Sequence, residues 1–348
     1  LDIFYDRKVV CNEQLRKMWH RHKKLFFLPY YIMHPISTVN EYIFDKIIDS
    51  KRIHDLGYYR KINQLEEHLI APLVDFDNTD VQSRSNIQLS FEDNEIKHGL
   101  EIMKKMGIKN KIVSIIFRDE DYLKKQFPSI DWSYQSHRAT HFKYFKKTAL
   151  YLAEKGYSVV LFGKIDEDNF NNENIINYST NKLKSNFMDI FLMSKSQFVI
   201  SSVTGLDSVP FVFKIPVIEA AVVPFGLQRT YSDLYLSLFK TYFSKTLNRK
   251  LSMKEIFENG LFKLSGRDLK DEIEFIHPSE EDILDSAKEM IERLNNKFNQ
   301  KKESVDLQNK FKENYKFLIN KYAPKRKVEN FNANIVEKFL ERNQFLLD

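Results

Sequence analysis

Between residues 108 and 223, short apolar runs alternate with stretches of helical spacing, and this alternation restricts the fold more than any other feature of the chain. The runs at 111–117, 157–162, 174–178, 197–201 and 216–223 have the length of strands. Between them, 142–154 repeats apolar residues at Phe142, Phe145, Ala149 and Leu152 and stops at Gly156, while 187–193 and 204–213 also read as helices. Strands separated by helices are joined by crossovers and so run parallel, and runs that are apolar throughout are covered on both faces. The expectation is an α/β, doubly wound, Rossmann-like domain spanning 91–245, with 216–223 as its final strand. A helix opening near Ser90, with Glu92 and Asp93 in its first turn and Gly107 past its end, leads into it.

On either side the pattern changes. Residues 1–60 read as strand (1–5), helix (12–21), strand (24–30) and helix (37–48), followed by a connection over 60–90 that contains Pro72. The chain opens at Leu1, so the spacing suggests the remainder of an N-terminal α/β domain, incomplete in this chain, over 1–90. Beyond Pro224 the pattern turns helical. Ser252 with Glu255 has the spacing of a capping box, and a long amphipathic helix starts at Ser279, so 246–348 is expected to be a helical C-terminal region.

Composition narrows the class. A hydrophobic fraction of 43% and a charged fraction of 29% belong to a globular chain. The single cysteine, Cys11, excludes an intrachain disulfide framework and a Cys-rich zinc site. No basic segment followed by an apolar core opens the chain, and its most apolar stretch, 198–225, is interrupted by Asp207, Lys214 and Glu219. These features predict a cytoplasmic protein. The balance of 54 Lys and Arg against 48 Asp and Glu gives +6, spread through mixed-sign segments. It favours anionic ligands without singling out nucleic acid, which is not expected as a partner. Lys325, Arg326 and Lys327 form a short basic patch, read first as a solvated loop and second as a peripheral contact with the inner face of the cytoplasmic membrane.

Ligands of open parallel sheets bind outside the carboxyl ends of the strands. There, Ser201-Ser202-Val203-Thr204-Gly205-Leu206-Asp207 places hydroxyls and a glycine between a buried strand and a helix start, a turn able to hold phosphate or simply to cap the helix. Arg118, after the first strand, can pair with phosphate, and Asp119 can orient it or act on a hydroxyl. Asp119 and Asp121 also have the spacing of a divalent-metal pair, which is the less favoured alternative; no metal is expected. His137 is a candidate base and Arg138 a candidate for stabilising a leaving group. Gly163 and Lys164 offer a close backbone approach and a cation. The His-Glu-x-x-His, Gly-x-Ser-x-Gly, Walker and Gly-x-Gly-x-x-Gly motifs are absent.

Taken in order, Arg118-Asp119 with Tyr122-Leu123, Arg138, Gly156-Tyr157, Gly163, Thr204-Gly205-Leu206-Asp207 with Pro216, Lys250-Leu251-Ser252 with Glu255-Ile256, and Glu289-Met290 with Arg293-Leu294 resemble a family of bacterial glycosyltransferases. Those proteins have two Rossmann-like domains, the GT-B arrangement, and are associated with surface-polysaccharide and lipopolysaccharide synthesis. The resemblance runs from Cys11 to Leu294. It implies a GT-B-like fold, a nucleotide-sugar donor held by the domain at 108–245, and a glycan or lipid-linked acceptor approaching from the N-terminal side. The residues themselves, rather than the likeness, make Asp119, His137, Arg118 and Arg138 the catalytic candidates, with Asp119 or His137 as the base, and Gly163, Lys164, Ser201, Ser202, Thr204, Gly205 and Asp207 are the donor-binding candidates. The nucleotide-sugar is a substrate and no cofactor is implied. The sequence departs from the family pattern at Gln135, His137, Ala139, Leu161 and Ala221. Two alternatives accompany this expectation: a nucleotide-sugar 2-epimerase of the same architecture, and a non-catalytic glycan-assembly protein that kept the fold.

Overall fold

The computed structural model describes residues 3–5, 12–22, 25–27, 86–87, 89–118, 133–165, 172–263, 272–323, 328 and 330–348. Near the start, β1 (Ile3–Tyr5), α1 (Glu13–His22) and β2 (Leu25–Phe27) form a βαβ unit in which the two strands pair in parallel. The helix expected at 37–48, the connection over 60–85 and Cys11 lie outside the described residues.

The main body begins with α2 (Asp93–Lys105), whose Glu92 and Glu95 form a capping box. It continues through β3 (Ile112–Ile116), α3 (Lys143–Glu154), β4 (Ser158–Leu161), β5 (Ile175–Asn177), α4 (Asn186–Ser194) and β6 (Ser196–Ser201). A 3-10 turn (Gly205–Asp207) and the short α5 (Ser208–Val212) then lead to β7 (Val217–Val222) and β8 (Tyr235–Phe239). These strands, with β12 (Asn334–Ile335), make a seven-stranded sheet of order β12-β8-β7-β6-β3-β4-β5, in which every pairing is parallel.

Burial explains the apolar runs. All five residues of β3 and all four of β4 are buried. Side chains alternate between the faces of a strand. Val160 joins a cluster with Met188 and Phe191 of α4, while its neighbours Val159 and Leu161 join the core that contains Phe145 and Leu152 of α3. The sheet is therefore sandwiched between helical layers, and the chain has a Rossmann-like α/β fold.

Two expectations need correction. The strand at 217–222 is not the last, because Tyr235–Phe239 extends the sheet beyond it and Asn334–Ile335 adds a further edge strand. Nor is the chain beyond Pro224 purely helical. β9 (Thr241–Ser244) pairs antiparallel with both β10 (Arg249–Lys250) and β11 (Ile273–Ile276). The physical reason is length: strands of two to five residues carry too few repeats to display a period.

Helices follow these strands: α6 (Met253–Glu258), α7 (Glu280–Leu294), α8 (Lys302–Tyr322) and α9 (Glu337–Arg342). The capping boxes at Ser252 with Glu255 and Ser279 with Asp282 are both present, each hydroxyl accepting a backbone N–H of the first turn. Among the described residues no helix is long and apolar enough to cross a membrane. Residues 325–327 lie outside them.

Candidate functional site

Chain order fixes where a ligand would sit. From β3 the sheet grows through β4 to β5 on one side and from β6 through β7 to β8 on the other. The order reverses between β3 and β6, and in open parallel sheets ligands bind by the carboxyl ends of the strands at such a switch point. Arg118 follows β3, and the Ser201–Asp207 turn follows β6.

Hydrogen bonds tie the segments at this switch point together. The Arg118 N–H donates to Ser202 Oγ (3.0 Å) and to Thr140 Oγ1 (3.2 Å), and Ser202 N–H donates to the carbonyl of Ile116 (2.9 Å). Arg138, the last residue of a 3-10 turn (Ser133–Arg138), donates from Nη2 to the carbonyl of Val203 at 2.7 Å. The buried Lys240, directly after β8, donates from Nζ to the carbonyls of His137 and Ala139, both at 2.9 Å. Arg118 and Arg138 are thus held beside the β6 turn, while Lys240 clamps the backbone at His137, whose ring lies 5.7 Å from that of Phe275 in β11. Asp119, and Asp121 with it, lie outside the described residues.

The turn itself is built differently from a simple phosphate cradle. Ser201 Oγ donates to Asp207 Oδ2 (2.9 Å) and accepts the Val203 N–H (3.1 Å), while Thr204 N–H donates to the same Asp207 oxygen (3.0 Å). Ser201, Ser202 and Asp207 are buried, and the donors expected to face a ligand converge on the chain's own carboxylate. Val203 adopts a left-handed φ of 59° to make this bend. The outward part is Thr204, half-buried, and Gly205, exposed, where a Cβ would meet nothing within 4 Å. Gly163 also has an internal reason to be glycine. A Cβ there would lie 2.4 Å from the Phe117 ring and 2.7 Å from its carbonyl oxygen. Lys164, next to it, is exposed at the carboxyl end of β4.

Behind the turn lies a buried charge network that sequence reasoning missed. Arg229 donates from Nη2 to Asp207 Oδ1 (2.7 Å) and from Nη1 to Glu219 Oε1 (3.0 Å), and its N–H bonds Glu219 Oε2 (3.0 Å). Glu219 also accepts from Ser237 Oγ (3.1 Å). Register places Ser201, Glu219 and Ser237 side by side across β6, β7 and β8. Although burial opposes it, the field of the two carboxylates raises the Arg229 pKa well above its ordinary value. Its clue in the sequence was Glu219 within an otherwise apolar strand, since a buried carboxylate requires a partner.

The start of α3 follows closely on Thr140, whose hydroxyl holds the Arg118 N–H. α3 begins at Lys143 with Phe142 in the N-cap position, and its own first turn carries no acid. His277, after β11, stacks on Tyr144 with ring centroids 3.8 Å apart, and its Nδ1 lies 2.8 Å from the carbonyl of Pro278. Burial, reinforced by the charges of Lys240, His141 and Lys143, pushes its pKa down to about 3. Among the described residues no three His, Cys, Asp or Glu side chains group as a metal site.

Fold and site define a class, a doubly wound α/β protein whose switch point brings Arg118 and Arg138 beside the turn that follows β6. Comparison with protein-family models, curated proteins and solved structures yields no match, so function is argued from residues and geometry alone.

Proposed function

We propose that the protein is a nucleotide-sugar-dependent glycosyltransferase that transfers a sugar to a glycan or lipid-linked acceptor in bacterial surface-polysaccharide synthesis, in the cytoplasm or at the inner membrane face. The observation that carries this reading is that Arg118 and Arg138 are bonded to Ser202 and Val203 beside the Thr204–Gly205 edge, at the carboxyl ends of β3 and β6. A sugar diphosphate needs positive potential along its length, and two arginines supply it. In the transfer, an acceptor hydroxyl attacks the anomeric carbon as the bond to the diphosphate breaks. Arg118 and Arg138 stabilise charge on the departing phosphate, and Asp119 or His137 takes the acceptor's proton. Lys164 lies toward the nucleoside. The βαβ unit of β1, α1 and β2 supports a second Rossmann-like domain, and with it a GT-B arrangement.

A second reading has its own support. Because Asp207 takes up the inner donors of the β6 turn, a non-catalytic protein that kept the fold is also consistent with this geometry. UDP-, GDP-, CMP- and dTDP-sugars incubated in EDTA, with and without an oligosaccharide or polyprenyl-phosphate acceptor, separate the readings. Acceptor-dependent nucleotide release supports transfer, and sugar isomerisation without acceptor identifies an epimerase. Absence of both, with no nucleotide-induced thermal shift, favours the non-catalytic protein.

A further inference from the structure

At the opposite end of the sheet, by the amino ends of β7 and β8, lies a hollow of about 510 Å³ whose lining includes Tyr231, Tyr235, Phe331 and Lys312. Lys312 projects from α8. Its Nζ donates to Asn334 Oδ1 at 2.9 Å and lies 5.9 Å from the centre of the Phe331 ring. Among the described residues no carboxylate comes within ion-pair distance of it. Burial, with the nearby charge of Arg293, lowers its pKa. Arg293 itself is paired with Glu289 at 2.7 Å and lines an adjoining hollow of about 530 Å³, beyond Asp233 and Leu234. A partly buried ammonium whose hydrogen-bond partner is a neutral amide leaves positive charge uncompensated, and an anion from outside is its natural complement.

The rest of the lining restricts that anion. Tyr231 packs edge-on against Phe211 (5.0 Å) and Tyr235 (5.5 Å), giving one aromatic wall, and Phe331 beside Lys312 gives another. Lys214, Ser232, Asp233 and Asn332 supply the other polar groups of the lining. Aromatic faces pack against the C–H face of a sugar ring, and the polar groups take its hydroxyls. We propose that this hollow binds an acidic sugar, a hydroxylated ring bearing one carboxylate or phosphate, with the anionic group on Lys312 and the ring between Tyr231 and Phe331. This site is separate from the switch-point site and does not depend on the transferase reading.

Calorimetric titration of the full chain and of Lys312→Gln with glucuronate, glucose 1-phosphate, inorganic phosphate and glucose tests it. Expected is saturable binding of glucuronate or glucose 1-phosphate about tenfold or more tighter than glucose, weakened about tenfold by Lys312→Gln and less strongly by Asn332→Ala. Preference for one acidic sugar identifies the anionic group. The proposal is overturned if neither acidic sugar binds, if Lys312→Gln binds them unchanged, or if inorganic phosphate binds as tightly as the tightest acidic sugar. Should Lys312→Gln not fold, acetylation of Lys312 in the unaltered protein decides the matter by mass spectrometry: protection by glucuronate or glucose 1-phosphate supports the site, and equal labelling with and without them overturns it.

Discussion

Arg229 donates a 2.7 Å hydrogen bond to Asp207, and both side chains are buried. Since the same guanidinium holds Glu219, replacing it strands two carboxylates in the core. Arg229→Met is expected to cost about 3–5 kcal/mol in urea unfolding. Adding Asp207→Asn and Glu219→Gln to that variant should restore much of the loss. A cost below about 1 kcal/mol for Arg229→Met would contradict the network.

Gly163 and Gly205 should respond oppositely to alanine. At Gly163 the added methyl meets the Phe117 ring and carbonyl oxygen, so Gly163→Ala should lose about 1–3 kcal/mol. Gly205 faces open space, and Gly205→Ala should stay within about 0.5 kcal/mol. Thermal melts of the pair check this, and equal effects would refute the local geometry.

Ala221 sits at a register shift in β7 with φ of 75°. A left-handed alanine costs about 1–2 kcal/mol, against about 0.8 kcal/mol for its buried methyl. Ala221→Gly should therefore leave stability unchanged or raise it by up to about 1 kcal/mol, whereas Ala221→Val should lower it. A loss above about 1 kcal/mol in the glycine variant would count against the bulge.

His277 gives the acid limb of the stability profile a definite sign. Its folded pKa of about 3 lies below the ordinary 6.5. Between these values the unfolded chain holds the extra proton, so the histidine's contribution is complete above pH 6.5 and is lost as pH falls toward 3, at about 1.4 kcal/mol per pH unit. Urea unfolding from pH 7 to 4 should show a shallower decline for His277→Gln, and an unchanged slope would show that the ring titrates normally.

How much of this was legible depends on segment length and on sequence separation. The strands and helices from Asp93 to Val222 announced themselves, because buried parallel strands are apolar throughout and α3 repeats its core residues over three turns. Tyr235–Phe239 passed unread: five apolar-rich residues in a segment of mixed pattern fit helix or strand equally. Arg118 was legible as a residue at a strand's carboxyl end and Arg138 as one in the loop before α3, whereas the hydrogen bonds that set them beside Ser202 and Val203 were not. That Ser201 and Asp207 would turn inward was hidden, since it depends on Arg229, 22 residues beyond Asp207.

Binding of UDP, GDP, CMP and dTDP to the full chain in EDTA, by calorimetry, tests the switch-point site most directly, with Arg118→Gln and Arg138→Gln beside it. Saturable binding of one nucleotide without metal, weakened about tenfold or more by either substitution while the melting temperature holds, is the predicted result. Binding that vanishes in EDTA, that survives both substitutions unchanged, or that is absent for every nucleotide would contradict it.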